Sequence, residues 1–368
     1  MAGINCINCT YGGVLPHPVA LVDDSVKDII SDVSFIGAGS VISLFGIITN
    51  ILNIVVYLKQ GIKDSATVQF LSLSTSDCLF SVLVFMSSLG VLVSRIETFR
   101  TILDPVSFTY SIVPVREKAY SVSISIIVLM SLERCFCVAY PFTVKLIFTK
   151  SRSILIIICI AAIFVASLIP EYLTKGLAWT YDKRSNRSRL TYWSSTAASD
   201  VLKNSILAGV LPVVSGVGTT FCTLYMISAI KASNKFRQST APSVRKCSDA
   251  STKENKTASK RVTSKETKTN KQTKDARITR TVIVVNIIFI LCNLPKCSVF
   301  SSSVARMYIP DFSLFTEGKY QNIVAILMTF TFVFEAINGA STFMVYYTFN
   351  ASFKATVGHI LCSYLNDK

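Results

Sequence analysis

Seven apolar stretches, each long enough to cross a lipid bilayer as a helix, occupy most of this 368-residue chain. A bilayer core of about 30 Å requires roughly 20 apolar residues in helical form, because lipid offers no partner for an open backbone hydrogen bond. Hydrophobic residues make up 51% of the chain and charged residues only 16%, against roughly 25% charged residues in soluble domains. The sequence therefore predicts an all-α membrane protein, a seven-transmembrane helix bundle over 34–348 between short segments 1–33 and 349–368. The stretches cover residues 34–58, 68–94, 107–139, 153–173, 204–230, 279–304 and 321–348.

Basic residues are concentrated between the fifth and sixth stretches. Residues 231–280 contain fifteen Lys or Arg and four Asp or Glu, which gives +11 of the net charge of +16. Short basic loops stay in the cytoplasm, so we expect a multi-pass protein of the plasma membrane with an extracellular N-terminus, although the loop 171–203 is also mildly basic. The segment 232–275 has the composition of a disordered loop that contacts anionic membrane lipids. Nucleic-acid binding is not expected, because residues 252–274 contain no aromatic side chain and the loop joins two spans.

Four Asn-x-Ser/Thr patterns provide a check on this orientation. Asn8 and Asn186 lie on the predicted outer side and are glycosylation candidates, whereas Asn255 and Asn350 lie on the inner side and should stay unmodified. The first residues lack the basic start and apolar core of a cleavable signal peptide, so the first span is expected to act as the signal anchor.

The third stretch must carry charged side chains into the membrane. Only fourteen uncharged residues separate Lys118 from Glu133, and they supply about 21 Å of helix, which is shorter than the bilayer core. Charges within a membrane face a protein interior or a water-filled cavity, and they indicate function. Arg116 and Arg134 are eighteen positions apart, or five helical turns, so they share one helix face about 27 Å apart. This arrangement suits a device that links the two sides of a membrane.

Short motifs follow one another in the same order as in a known receptor family. The stretch "LERCFCVAYPF" resembles the Glu/Asp-Arg-Tyr motif of rhodopsin-like (class A) G-protein-coupled receptors, with Glu133 and Arg134 in the matching places and Pro141 as the following proline. Further matches along the other helices are Asn50, Leu73, Asp77, Pro212, Phe289, Cys292, Pro295, Tyr346 and Phe353. On these motifs the chain is identified as a member of that family. The stretch "KQGIKDSATVQFLSLSTSD" is also similar to invertebrate peptide and chemosensory receptors.

Several positions depart from the family pattern. Thr109 stands in place of the outer cysteine of helix three, and the loop 171–203 contains no cysteine, so the usual extracellular disulfide is missing. Asn293 replaces the tryptophan of helix six, and Thr342 replaces the asparagine of the helix-seven motif. These departures indicate a divergent receptor.

The resemblance implies a switch at the inner end of the bundle. Arg134 would pair at rest with Glu133 or with Asp275, and agonist binding would swing helix six outward so that Arg134 meets a heterotrimeric G protein. Tyr346 and Pro141 belong to the same switch region by resemblance, and arrestin and receptor kinases are further partners that the family implies. The alternative is a permanent ion pair that extends to the lipid head groups.

Asp77 lies in mid-membrane in the second stretch, where a carboxylate must find partners or lose its charge. By resemblance, a sodium ion would be held by Asp77 and Ser123 within a polar centre that includes Asn338 and Asn293. The alternative is a hydrogen-bonded polar core without any ion. Apart from this sodium ion, no cofactor is expected.

The outer half of the bundle is unusually ionic. The positions that line the family's ligand cavity correspond to Arg116, Glu117, Lys296 and Glu335. Amine receptors carry an aspartate at the position of Arg116, so a biogenic amine is not expected. We expect Arg116 or Lys296 to bind an anionic group of an extracellular ligand, such as a peptide C-terminus or a small organic acid. The alternative is an internal ion pair, in which Glu335 neutralises one of the two cations.

The residues after the last stretch form an amphipathic pattern. Phe353, Val357 and Ile360 recur at helical spacing, and Cys362 follows them. The pattern predicts a short eighth helix on the inner leaflet, with Cys362 as a candidate for palmitoylation.

Two other functional classes were weighed against a receptor. An enzyme is not expected, because His17 and His359 both lie outside the spans and Asp77 is the one aspartate within them. A secondary transporter of a charged solute remains as the alternative, since the intramembrane charges could line a path. Against it, the two halves of the chain show no internal repeat and no matching pair of Gly/Pro-broken spans.

Overall fold

The computed structural model describes residues 21–96, 104–140, 143–182, 187–194, 210–232, 258–308 and 320–366. Seven helices in this part of the chain are long and apolar enough to cross a membrane, which confirms the predicted seven-helix bundle. They are α1 (Asp24–Gln60), α2 (Ser65–Ser94), α3 (Pro105–Ala139), α4 (Lys150–Thr174), α5 (Val210–Ala232), α6 (Ala258–Tyr308) and α7 (Gln321–Phe349). A further helix, α8 (Ala351–Asn366), follows α7 directly.

Two helices begin earlier than the apolar pattern indicates. α1 starts at Asp24, because the Asp23 carboxylate accepts the Ser25 backbone N–H, and it continues through a π-helical turn over Val33–Ala38. α6 starts at Ala258, inside the segment 232–275 that we expected to be disordered, although its apolar part covers Ala276–Ser301. No Gly or Pro occurs between Ala258 and Ala276, so the polar sequence has no residue that would interrupt the helical hydrogen bonds.

Short polar side chains fix where several helices begin. Asp64 accepts the Thr67 backbone N–H at the start of α2, and Asp104 accepts the Ser107 N–H at the start of α3. Such N-caps satisfy backbone donors that a helix leaves open. Asn350, between α7 and α8, accepts the Phe353 N–H in the same way. The turn into α8 is therefore fixed by the side chain of the last residue before that helix.

α3 lies at the centre of the bundle, where it contacts α2, α4 and α6. The completely buried apolar side chains around it include Leu73 of α2, Ile126 of α3 and Phe289 of α6. α4 contributes little to the core, because side chains such as Ile158 and Ile163 are exposed. The central position of α3 places its two arginines inside the protein instead of against lipid.

An antiparallel hairpin caps one end of the bundle. Its strands β1 (Lys175–Asp182) and β2 (Arg187–Ser194) pair with Lys175 opposite Ser194. The Tyr192 ring stacks on Tyr110 of α3 at 5.7 Å between centroids. We call this the hairpin end, and the opposite end, where α3 finishes, the Arg134 end.

α8 packs against the Arg134 end through its apolar side. Phe353 is completely buried, with its ring centroid 5.5 Å from Tyr57 of α1 and 5.9 Å from Tyr346 of α7. Cys362 is exposed near the end of α8, so its thiol is accessible for the predicted lipid modification.

Candidate functional site

The four charged residues predicted for the outer cavity meet inside the bundle. Lys296 of α6 donates to Glu335 of α7 (Nζ–Oε1 2.6 Å) and to Glu117 of α3 (Nζ–Oε2 3.1 Å). Arg116 of α3 donates to the other oxygen of Glu117 (Nη2–Oε1 3.2 Å). We refer to Arg116, Glu117, Lys296 and Glu335 as the ionic cluster. It joins α3, α6 and α7 near the hairpin end, and its two positive and two negative charges cancel.

Aromatic rings enclose the two cations of the ionic cluster. The Arg116 guanidinium lies over the Phe332 ring, 4.3 Å from its centroid, and is only 1% exposed. The Lys296 ammonium lies 4.9 Å from the centre of the Tyr120 ring. A ring face attracts a cation, and the attraction is stronger where water is excluded. Tyr120 and Phe332 were missed by the sequence reasoning because neither is charged.

Two atoms of the ionic cluster remain available for a further partner. Arg116 Nε and Glu335 Oε2 are buried and make no hydrogen bond within the described part of the chain. A buried polar atom without a partner is costly and requires an explanation. The cluster therefore matches the internal ion pairing weighed from the sequence, and it leaves one donor and one acceptor unused.

Asn293 of α6 is linked to the ionic cluster through Tyr120, whose ring contacts Lys296. The Tyr120 hydroxyl donates to Asn293 Oδ1 (3.1 Å), and Asn293 Nδ2 donates to the backbone oxygen of Phe289 (2.8 Å). Asn293 was expected to join the polar centre around Asp77. Its recorded hydrogen bonds instead lead toward Lys296 through Tyr120.

The polar centre around Asp77 is tightly enclosed. Asp77 is 2% exposed, and the Ser123 hydroxyl beside it is completely buried. Ser74 Oγ is also buried and makes no hydrogen bond within the described residues. Hard cations take oxygen ligands, so the Asp77 carboxylate beside the Ser123 hydroxyl is a pair of donors that fits a sodium ion. Asn338 is buried on α7.

A second set of polar side chains ties α1 to α7 at the same depth. Asn50 donates to the backbone oxygen of Gly339 (3.0 Å), and Asn53 donates to both Asn50 Oδ1 (3.3 Å) and Thr342 Oγ1 (3.4 Å). Thr342, which replaces the asparagine expected in helix seven, therefore still takes part in the polar core. Asn53 was not singled out from the sequence.

At the Arg134 end, Glu133 lies between α2 and α3. Its Oε1 accepts from Arg134 Nη2 (2.5 Å), and its Oε2 accepts from Ser65 Oγ (2.7 Å) and Gln69 Nε2 (2.5 Å). Ser65 also hydrogen-bonds Ser153 of α4 (2.5 Å). Because both carboxylate oxygens have partners, Glu133 is held in place and can anchor Arg134.

The other predicted switch residues are described only in part. Pro141 and the side chain of Asp275 lie outside the described residues, as do Asn8 and Asn186. Tyr346 is completely buried, and its hydroxyl makes no hydrogen bond within the described part of the chain. The Asp275 pairing therefore stays a prediction.

Comparison with known proteins identifies the family. A family model described as "7 transmembrane receptor (rhodopsin family)" matches residues 49–362. The chain belongs to the rhodopsin family of receptors. No curated protein matches the chain. The family match covers all seven helices at least in part, and it supports a membrane-embedded signalling receptor with an extracellular ligand and a G protein as general partners. It gives no support to the transporter alternative.

The receptor also contains a buried polar bridge among α3, α5 and α6. Ser131 Oγ donates to Asn286 Oδ1 (2.9 Å), and Asn286 Nδ2 donates to Thr223 Oγ1 (3.0 Å). Asn286 is completely buried. Its signal in the sequence was an amide side chain within the apolar part of α6, which indicates a partner on a neighbouring helix.

Proposed function

We propose that this protein is a cell-surface receptor of the plasma membrane that binds an extracellular peptide or small acidic molecule and activates a heterotrimeric G protein. The observation that carries the proposal is that α3 holds an enclosed ion pair toward each end, Arg116 with Glu117 and Arg134 with Glu133. In this proposal the hairpin end faces outside and the Arg134 end faces the cytoplasm. In this proposal the receptor catalyses no covalent reaction, and the predicted resemblance of residues 59–77 to invertebrate peptide and chemosensory receptors is a further reason to test ligands of those classes.

The ionic cluster determines what a ligand must do. Its cations are already paired, so an acidic group of the ligand must compete with Glu117 for Lys296. These two side chains are the accessible part of the cluster, with 25% and 17% of their surface exposed, whereas Arg116 is sealed beneath them. A charge-assisted hydrogen bond from Lys296 to a ligand carboxylate can replace the one to Glu117 that Lys296 loses.

Displacing Lys296 changes how the helices are held together. Lys296 is the member of the ionic cluster on α6, and its two hydrogen bonds reach α3 and α7. Breaking them would free the outer part of α6 from both neighbours. A ligand that binds the rearranged bundle more tightly shifts the population toward it. We propose that α6 then moves outward at the Arg134 end and that Arg134 meets the G protein.

The ligand proposal is tested with pairs of peptides that are identical except for a free or an amidated C-terminus, measured by nucleotide exchange on a G protein. We expect free acids to be preferred by the native receptor and this preference to be lost in Lys296→Gln, because Lys296 is the accessible cation of the cluster. Lys118→Gln is the matched control, because Lys118 of α3 is a lysine that pairs with Glu171 outside the cluster (3.4 Å). Equal losses for acids and amides in Lys296→Gln would contradict the proposed ligand class.

The proposed latch between Arg134 and Asp275 is tested without any ligand. Asp275→Ala should raise basal nucleotide exchange about fivefold or more, which is the lower range of allosteric coupling energies. The control is Glu266→Ala, which removes an acid from the same helix at a position nearer its start. Basal exchange that stays unchanged in Asp275→Ala at equal surface expression would remove Asp275 from the switch.

Further partners follow from the same proposal. Asp77 and Ser123 would hold a sodium ion, which supplies positive charge at the centre of the bundle. The basic loop 232–275 would contact anionic lipids and offer hydroxyls to receptor kinases, with arrestin as a later partner. Palmitoylation of Cys362 would fasten α8 to the inner leaflet.

A further inference from the structure

A groove between α5 and α6 lies outside the sites described so far. It encloses about 490 Å³, which is within the range of small-molecule sites. Its walls include Val217, Phe221 and Leu224 of α5 and Leu294 of α6, all with more than half of their surface exposed. Because both helices are membrane spans, the groove opens toward the hydrocarbon of the bilayer.

The shape of the groove is long and parallel to the helices. Its lining on α5 runs from Val213 to Leu224 at intervals of three or four residues, which corresponds to about 16 Å along the helix axis. On α6 the lining runs from Ile290 to Cys297 along a single stripe. A narrow slot along two spans fits an extended chain that lies along the membrane normal.

A glycine, which has no side chain, leaves space within this slot. Gly216 lines the groove, and a Cβ atom built there would meet no atom within 4 Å. Gly218 on the same helix also has open space around it, but it does not line the groove. The two glycines therefore provide a test position and a matched control.

The polar atoms of the groove are largely satisfied within the protein. The Thr220 hydroxyl donates to the backbone oxygen of Gly216 (2.7 Å). Asn293, at the inner wall and 1% exposed, bonds Tyr120 and the Phe289 backbone. An occupant would thus find apolar walls and few open hydrogen-bonding groups, which favours a hydrocarbon over a polar molecule.

We propose that this groove binds one acyl chain of a bilayer phospholipid. The acyl chain enters sideways from the membrane, lies between Gly216 and Leu294, and reaches the wall formed by Asn293. There the acyl chain packs beside Asn293, which is connected to Lys296 through Tyr120. The binding itself does not depend on the identity of the receptor's ligand or on G-protein coupling.

The test uses the purified full-length receptor in lipid nanodiscs that contain phosphatidylcholine with a photoreactive diazirine on one acyl chain. After illumination, adducts are mapped by peptide mass spectrometry. We expect adducts on the groove residues of α5 and α6 to exceed those on the exposed lipid-facing residues Ile158 and Ile163 of α4 by several-fold. The α4 adducts measure random contact with lipid and report that each variant is embedded in the bilayer.

Gly216→Leu and Gly218→Leu distinguish a site from a lipid-exposed surface. Leucine is a better helix former than glycine, and both positions have room, so neither variant should unfold the protein. Gly216→Leu should reduce the groove adducts several-fold, whereas Gly218→Leu should leave them unchanged. Equal labelling of α4 and the groove, or equal effects of the two substitutions, would overturn the proposal. Labelling of the groove by a diazirine sterol but not by the acyl probe would also overturn it.

Discussion

At the scale of single residues, the ionic cluster is the most costly feature of this receptor. Removing charges from water is expensive, and the attraction between them compensates only when geometry and hydrogen bonds are good. Here each cation faces a carboxylate and an aromatic ring, and the net charge is zero. Breaking a buried pair by removing one partner is far more harmful than replacing both partners. Lys296 and Glu117 each pair with two side chains of opposite charge, so they are the most sensitive members of the cluster.

Lys296→Met should lower the stability of the receptor by about 3–5 kcal/mol, because it leaves the carboxylates of Glu117 and Glu335 without their shared cation. The midpoint of thermal unfolding in detergent measures the effect. Arg95→Met is the control, since Arg95 pairs with Asp32 at 2.7 Å on the surface, with 56% and 38% of the side chains exposed, and such pairs contribute about 1 kcal/mol or less.

A double substitution distinguishes the loss of stability that an uncompensated buried charge causes from a general loss of packing. Lys296→Met combined with Glu335→Gln should unfold at a higher temperature than Lys296→Met alone, because Glu117 keeps its pair with Arg116 and the uncompensated carboxylate of Glu335 is then replaced by a neutral amide. If the double variant instead unfolds at the temperature expected from adding both single losses, Lys296 and Glu335 act independently and the cluster is not a unit.

At the scale of elements, the hairpin is held on α3 without the family's disulfide. The Leu190 carbonyl of β2 accepts the N–H of Asp104, the residue before α3 (3.3 Å). Three residues before β1, the Tyr172 hydroxyl at the end of α4 donates to the backbone oxygen of Ser111 of α3 (2.8 Å). The Tyr110–Tyr192 stack adds to these hydrogen bonds. Burial and the nearby Glu171 carboxylate raise the pKa of Tyr192 above its ordinary value, so its hydroxyl stays neutral at physiological pH. Several weak contacts thus replace one covalent bond.

The hairpin contacts predict how the receptor responds to reductant and to loss of the stack. A reducing agent should leave the thermal midpoint unchanged, whereas Tyr192→Ala should lower it by the equivalent of about 1 kcal/mol, the value of an aromatic pair. Trp179→Ala is the control, because Trp179 lies on the opposite strand and is 65% exposed. A marked fall of the midpoint on reduction would mean that a disulfide, and not these contacts, secures this end.

At the scale of the whole molecule, orientation determines which site meets the ligand and which meets the G protein. In the proposed orientation, the basic loop between α5 and α6 keeps the Arg134 end in the cytoplasm. The ionic cluster and the hairpin then face outward, and Arg116 and Arg134 lie about 27 Å apart on one helix. The long central helix can therefore connect events on the two sides.

Glycosylation tests this orientation directly. Asn8→Gln and Asn186→Gln should each remove one glycosidase-sensitive mobility shift, because the proposed topology exposes both residues to the lumen during synthesis. Asn255→Gln and Ser352→Ala should change nothing. Ser352→Ala is preferred at the second inner site because it leaves Asn350 to cap α8. Loss of a mobility shift in either inner-site variant would mean that the topology is the reverse of the proposed one.

The architecture was predictable because a bilayer requires long apolar helices, and that requirement is visible in the linear chain. The ends of the helices were less predictable. α1 extends to Asp24 and α6 to Ala258, where polar residues continue a helix that the apolar pattern alone does not mark. The four charges of the ionic cluster were also identifiable, since charges are rare in spans and indicate function.

The neutral partners were not identifiable in this way. Tyr120, Phe332, Ser65 and Gln69 look like ordinary core or polar residues in the sequence, and Gly216 looks like any helical glycine. Each acquires its role from a residue on another helix. The sequence by itself determined the number of spans, the family and the charged residues, because hydropathy and motifs are properties of the chain. Only the tertiary structure decided that Lys296 is shared by Glu117 and Glu335 and that a groove opens beside Gly216, because both depend on distances between helices that are far apart in sequence.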